Sequence, residues 1–212
     1  IFPTRAGLVP FTFSDGFTEV TTRLSGNAVE ATLSNDLNSF TEALLFTHRG
    51  LSGPSSLQLS NYWDVGQSFK IDFLPSVALK DFLINKKKSQ PKVLLRTLLT
   101  ELLPKSVVLE LQNLIWLDQA DTAIGNISDE KLELIASRLN GFDVKPSGTE
   151  GYRTAEVTLG GVDTTEVSSK TMESKKQKGL FFVGEILDVS GHLGGYNFQW
   201  AWSSAHAASQ FV

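Results

Sequence analysis

The residues best suited to chemistry lie near the carboxyl end of the 212-residue sequence. Glu185 follows the apolar run Leu180-Phe181-Phe182-Val183 and a glycine, Gly184. Asp188 stands three residues on, and Gly194-Gly195-Tyr196-Asn197 follows after a short loop. A carboxylate at a strand end can accept a hydrogen bond from a ligand hydroxyl, and a buried one needs such a donor. Glycines let the backbone approach a ligand closely. A helix opening at Gly194–Asn197 presents free N–H groups and the positive end of its dipole, which suit an anionic partner. Strand, acidic turn, glycine loop and helix is the order in which open α/β sheets build a ligand crevice at their carboxyl edge. Spacing alone fits a solvated turn acid at Glu185 equally well, and a plain glycine turn is by itself the commoner reading of Gly194-Gly195. Asp188 braces the loop or caps the turn and is assigned no chemistry.

Other groupings carry less. His48 beside Ser52 suggests a serine hydrolase, but the nucleophile elbow needs glycines two before and two after the serine. Gly50 fits and Pro54 does not. The three histidines, His48, His192 and His206, are far apart and lack metal-ligand spacing. His192 lies within the glycine-rich loop, where it reads as a proton donor or as loop surface; His206 reads as helix surface. Lys86-Lys87-Lys88 reads as a solvated interhelical turn. Tyr62-Trp63, Trp200 and Trp202 read as core or interface packing.

The elements that must position these residues follow from periodicity. Leu8–Thr12, Phe17–Leu24, Ala28–Leu33 and Ala43–Thr47 are rich in β-branched and aromatic residues and separated by turn signals, which predicts strands of a small antiparallel barrel or sandwich. Gly50–Pro54 leads into a helix ending near Tyr62, with Ser52 or Gly53 as cap and Pro54 in the first turn. Gln67–Phe73 alternates as one more strand. From Pro75 to Asn140 the period is helical, in four helices, the last capped by Ser128 with Leu132, Ile135, Ala136 and Leu139 inward. Phe142–Lys145, Ala155–Leu159, Glu166-Val167 and Leu180–Val183 return to β character. The apolar spacing of Phe198, Trp202, Ala205, Ala208, Ser209 and Val212 predicts a final helix.

Three motifs, in order, carry a resemblance: Leu45-Phe46-Thr47-His48-Arg49-Gly50-Leu51-Ser52-Gly53-Pro54, Ala155-Glu156-Val157-Thr158-Leu159-Gly160-Gly161-Val162, and the segment from Gly184-Glu185 through Gly194-Gly195-Tyr196-Asn197. The pattern resembles the BaiN-like NAD(P)/FAD-dependent oxidoreductases, bacterial flavoproteins with a large domain inserted into the flavin-binding fold. The resemblance implies an α+β fold: a β-barrel-like insert over 8–150 with a helical subdomain over about 75–140, then the strand–loop–helix end of an FAD domain over 151–212. Residues 1–7 would be a remnant of the connection to that domain. It implies FAD as cofactor, NAD(P)H as electron donor, a small-molecule substrate, and cofactor contacts from Gly184, Glu185, Gly194, Gly195, Tyr196 and Asn197. Thr47, His48 and Ser52 become substrate-side candidates, and the catalytic residues are unknown. The chain does not begin with Met, and no Gly-x-Gly-x-x-Gly follows a strand. The expectation is therefore a C-terminal half, inactive alone, whose partner is the missing N-terminal FAD-binding half. The competing class is a non-enzymatic binding module.

Composition sets outer bounds. Hydrophobic content of 41% and charged content of 20% are ordinary for a folded chain. A net charge of −4 predicts no nucleic-acid partner. No apolar run approaches the roughly 20 residues of a membrane helix, and the start lacks a signal-peptide layout, so no membrane partner is expected. With no cysteine there is no disulfide and no thiolate metal site, and the expected compartment is the cytoplasm.

Overall fold

The structure, a computed structural model, describes residues 1–212. In chain order the elements are β1 (Phe2–Gly7), β2 (Phe11–Thr12), α1 (Phe17–Arg23), β3 (Ala28–Ser34), β4 (Ser39–Thr47), β5 (Gly50–Ser52), α2 (Pro54–Ser60) and β6 (Phe69–Asp72). They continue with α3 (Leu79–Ser89), α4 (Leu95–Leu99), α5 (Lys105–Ile115), α6 (Asp129–Leu139), β7 (Phe142–Val144), β8 (Gly148–Thr149), β9 (Val157–Gly161) and α7 (Tyr196–Ser209). Two units result: Phe11–Gly148, and Ile1–Pro10 together with Thr149–Val212.

In the first unit, alternation builds the sheet. Val29, Ala31 and Leu33 point inward from β3, and Leu44 and Phe46 from β4, so one face of the pair is buried. The full order is β7-β6-β3-β4-β5-β2-β8. The terminal strands β7 and β8 are not paired with each other, so hydrogen bonding leaves the expected barrel open. The core is one contiguous cluster that runs from Phe11, Phe46, Phe69 and Phe73 to Leu83, Leu98, Leu111 and Ile135 of the helices. Sheet and helices therefore share a core. Trp63 packs edge-on against Phe11 with centroids 5.2 Å apart. Ser128 caps α6, its hydroxyl accepting from the Lys131 N–H at 3.2 Å.

Two expectations in this unit fail. Phe17–Leu24, read as a strand, is α1. Its burial recurs at Val20, Thr21 and Leu24, a helical stripe. Its β-branched threonines are accommodated because the Thr21 and Thr22 hydroxyls donate to the Thr18 carbonyl at 3.0 and 2.8 Å. Asp15 accepts from the Phe17 N–H at 3.0 Å. Lys86-Lys87-Lys88, expected in a turn, ends α3, where cations offset the negative end of the dipole. Lys86 pairs with Glu101 and Lys87 with Asp129, both at 2.6 Å.

The second unit is built on β1 paired antiparallel with β9. Its buried cluster is small: Val167, Met172, Leu187 and Ala208, with Val162, Phe181, Phe182 and Trp200 against it. Here the Leu180–Val183 strand is absent. The run makes only an isolated bridge, Glu173 with Phe181. Leu180 and Val183 are exposed. A strand is defined by its neighbours, and this run has one short neighbour only.

Candidate functional site

The turn after the Leu180–Val183 run is held by backbone. The Val162 N–H donates to the Ile186 carbonyl at 2.8 Å, and the Asp188 N–H to the Val162 carbonyl at 2.9 Å. Between them, Gly184–Ile186 forms a 3-10 turn. From α7, the Ser204 hydroxyl accepts from the Gly184 N–H at 2.9 Å, and the Trp200 indole N–H donates to the Gly184 carbonyl at 3.0 Å. Ser204 is buried and in turn donates to the Trp200 carbonyl at 2.7 Å. Ser204 escaped sequence reading. Its signal was a hydroxyl four residues after Trp200, and so one turn along the same face of an Ala-rich helix.

This grip falls on Gly184 and leaves Glu185 outside. The expected buried carboxylate is exposed, and it has no hydrogen-bond or ion-pair partner in the chain. The tight turn projects the side chain away from the buried cluster. A partner-free carboxylate on a backbone fixed at both ends is an available acceptor.

The loop beyond is closed by Asn197. Its amide oxygen accepts from the Gly191 N–H at 2.7 Å, and its amide N–H donates to the Gly191 carbonyl at 3.1 Å. This side chain thus shapes the loop. Gly195 is the N-cap of α7 with φ 86° and ψ 4°, the left-handed conformation that glycine adopts at little cost. No side chain caps the helix, and the N–H groups of Tyr196, Asn197 and Phe198 have no acceptor in the chain. Tyr196 itself is exposed.

Glu185, Gly194, Gly195 and Asn197 come together around a cavity of about 120 Å³, also lined by Leu8, Glu156, His192 and Phe198. His192 is half-buried there. Glu185 also lines a largely apolar cavity of about 620 Å³, with Gly160, Gly161, Leu180 and Phe182 among its walls. The loop can therefore offer one anionic acceptor and several N–H donors to a ligand.

Thr47, His48 and Ser52 belong to the other unit, at the β4–β5 hairpin. The Thr47 hydroxyl accepts from the Gly50 N–H at 3.1 Å, tying the turn. His48 is exposed, and its carbonyl accepts from the Thr22 hydroxyl at 3.1 Å. Gly50 is dictated by space: a Cβ there would sit 2.2 Å from the Phe11 carbonyl oxygen. Part of this motif is therefore hairpin geometry.

Residues 5–157 match the model of the HI0933-like protein barrel and H2TH domain, and the chain belongs to that family. Among curated proteins it is 49% identical over 211 residues to the ribosomal RNA dihydrouridine synthase of Escherichia coli and 48% identical over 213 residues to that of Haemophilus influenzae. Each match covers 99% of this chain and 52% of the relative. At 31% identity over 180 residues, covering 80% of this chain and 44% of the relative, it is similar to the 3-dehydro-bile acid delta(4,6)-reductase of Clostridium scindens. The chain spans about half the length of the curated relatives it matches. All three carry enzyme names. The first two overturn the expectation that nucleic acid is excluded, because those relatives are named for ribosomal RNA. Net charge averages a whole chain, whereas RNA contacts are made locally, by stacking and by base edges as much as by phosphates. No helix is long and apolar enough to cross a membrane.

Proposed function

We propose that this chain supplies the inserted domain and the closing loop and helix of a flavin-dependent enzyme that reduces uridine in ribosomal RNA. In this reading residues 8–150 are the insert, 151–212 end the FAD domain, and 1–7 connect to an N-terminal dinucleotide-binding half. The observation that carries it is the pairing, on one cavity, of the partner-free Glu185 carboxylate with the unaccepted N–H groups of Asn197 and Phe198.

That donor set fits a flavin. A ribityl hydroxyl needs an acceptor, which Glu185 offers. The pyrimidine edge of the ring carries carbonyl oxygens and becomes anionic on reduction, which the opening of α7 suits. The chemistry that a flavin held there, once reduced by NAD(P)H, would supply is net addition of a hydride and a proton across the uracil double bond. Ser204 and Trp200 hold the Gly184 turn so that Glu185 keeps its aim. Asn197 fixes the loop that sets the first turn of α7. Thr47, His48 and Ser52 remain substrate-side candidates.

The test uses the whole protein at the length of its relatives. It should bind FAD and turn yellow. With NAD(P)H it should form dihydrouridine in a ribosomal RNA transcript, read by mass spectrometry. Glu185→Ala should weaken FAD binding about ten- to hundredfold, the loss of a hydrogen bond to a charged acceptor. A colourless protein, or wild-type affinity in Glu185→Ala, would remove the flavin from this loop and leave a binding module.

A further inference from the structure

We propose that the turn at Lys175–Lys178 holds the phosphate backbone of the RNA strand presented to the Glu185 loop. This rests on the reading of ribosomal RNA as substrate given above. The whole chain has a net charge of −4, but from Ser168 to Leu180 it carries four lysines, Lys170, Lys175, Lys176 and Lys178, against one carboxylate, Glu173. All four lysines are exposed. Lys176 also lines the cavity of about 620 Å³ that reaches Glu185, so a strand held at the turn lies beside the candidate site.

The turn is fixed by its own side chains. The Ser174 hydroxyl accepts from the N–H groups of Lys176 and Gln177, both at 3.2 Å, and the Glu173 carboxylate accepts from the Gly179 N–H at 2.7 Å. The ammonium groups are thus presented from a set backbone. Their pairing is incomplete. Lys176 has Glu166 as its partner, and Lys175 donates to the neutral Thr165 carbonyl at 2.8 Å. The ammonium groups of Lys170 and Lys178 have no partner in the chain. The lysines of α3 differ: Lys86 and Lys87 are each held by a carboxylate, which accounts for them within the fold.

Geometry selects the kind of phosphate. Nucleotide cofactors are commonly gripped by free backbone N–H groups at glycine-rich turns and helix starts. Here the N–H groups of Lys176, Gln177 and Gly179 are spent on Ser174 and Glu173, and only side-chain ammonium groups are on offer. Such lysines meet the repeated charges of a nucleic-acid backbone, fixing its position without reading its sequence. Each contact releases counterions, so its signature is salt dependence.

The experiment uses the FAD-loaded whole protein and an unmodified ribosomal RNA transcript, without NAD(P)H, so that binding is read apart from reduction. Lys176→Gln/Lys178→Gln should flatten the log–log salt slope of affinity by about 1.4–1.8, so that its deficit against wild type shrinks about seven- to twelvefold between about 50 and 200 mM salt. The deficit should be alike for transcripts of unrelated sequence. Lys176→Arg/Lys178→Arg should keep the wild-type slope, and so should Lys86→Gln/Lys87→Gln, which removes the same charge from α3. FAD affinity and the KM for NAD(P)H should not move. The inference is overturned by an unmoved slope in Lys176→Gln/Lys178→Gln or by an equal change in the α3 variant. A loss confined to FAD affinity or to the KM for NAD(P)H also overturns it, because the lysines would then serve a cofactor's phosphates. Wild-type protein that binds the transcript through these lysines but forms no dihydrouridine upholds this inference and refutes the enzymatic reading; dihydrouridine formed with an unmoved slope does the reverse.

Discussion

At the scale of single residues, the candidate site depends on backbone conformation more than on crowding. A side chain at Gly195 would meet nothing within 4 Å, so the glycine is not there to make room. Its need is conformational, at φ 86°. Substitution should therefore act through left-handed strain of about 1–2 kcal/mol, which asparagine largely escapes. In urea melts of this chain, Gly195→Val should lose about that much stability and Gly195→Asn markedly less. Equal losses would mean that the side chain is sterically excluded. Glu185 belongs to the same scale: it was legible as an acidic residue after a glycine, but its exposure depended on Ser204 and Trp200 holding Gly184.

At the scale of elements, local capping was readable where the cap is made by a neighbour in sequence. Ser128 precedes α6, and its hydroxyl receives the Lys131 N–H. Ser128→Ala should destabilise the first unit by about 1 kcal/mol, measured as a shift in denaturation midpoint with unchanged slope. A null result would place the stability of α6 in its buried face, where Leu132, Ile135, Ala136 and Leu139 already pack. By contrast the composition of α1 is that of a strand. Residue type favoured β, while the spacing of Val20 and Leu24 favoured helix. The outcome was set by the apolar face and by threonine hydroxyls that satisfied themselves on the Thr18 carbonyl.

At the scale of the whole molecule, the two units differ in what they bury. Phe11–Gly148 has a continuous core from sheet to helices, whereas the other unit has a small cluster and leaves Leu180, Ile186, Phe198 and Trp202 exposed. A fragment of residues 8–150 should accordingly melt in a single cooperative transition, since its core and size are those of an independent domain. A gradual, non-cooperative melt of that fragment would show that its core needs residues outside it.

What the sequence by itself determined is whatever depends on near neighbours. Periodicity located β3, β4, β6 and α5–α7, the Ser128 cap, and the glycine opening of the last helix. Three motifs led to a reductase resemblance, although the relatives of higher identity carry an RNA-modifying name. Only the tertiary structure decided the rest. The Leu180–Val183 run had the composition of a strand without enough neighbours to be one. Glu185 had the sequence position of a buried acid but was left outward by contacts made to its neighbour Gly184 from residues 16 and 20 positions beyond that glycine. Strand pairing and burial are relations between distant segments, and no local pattern encodes which distant group arrives.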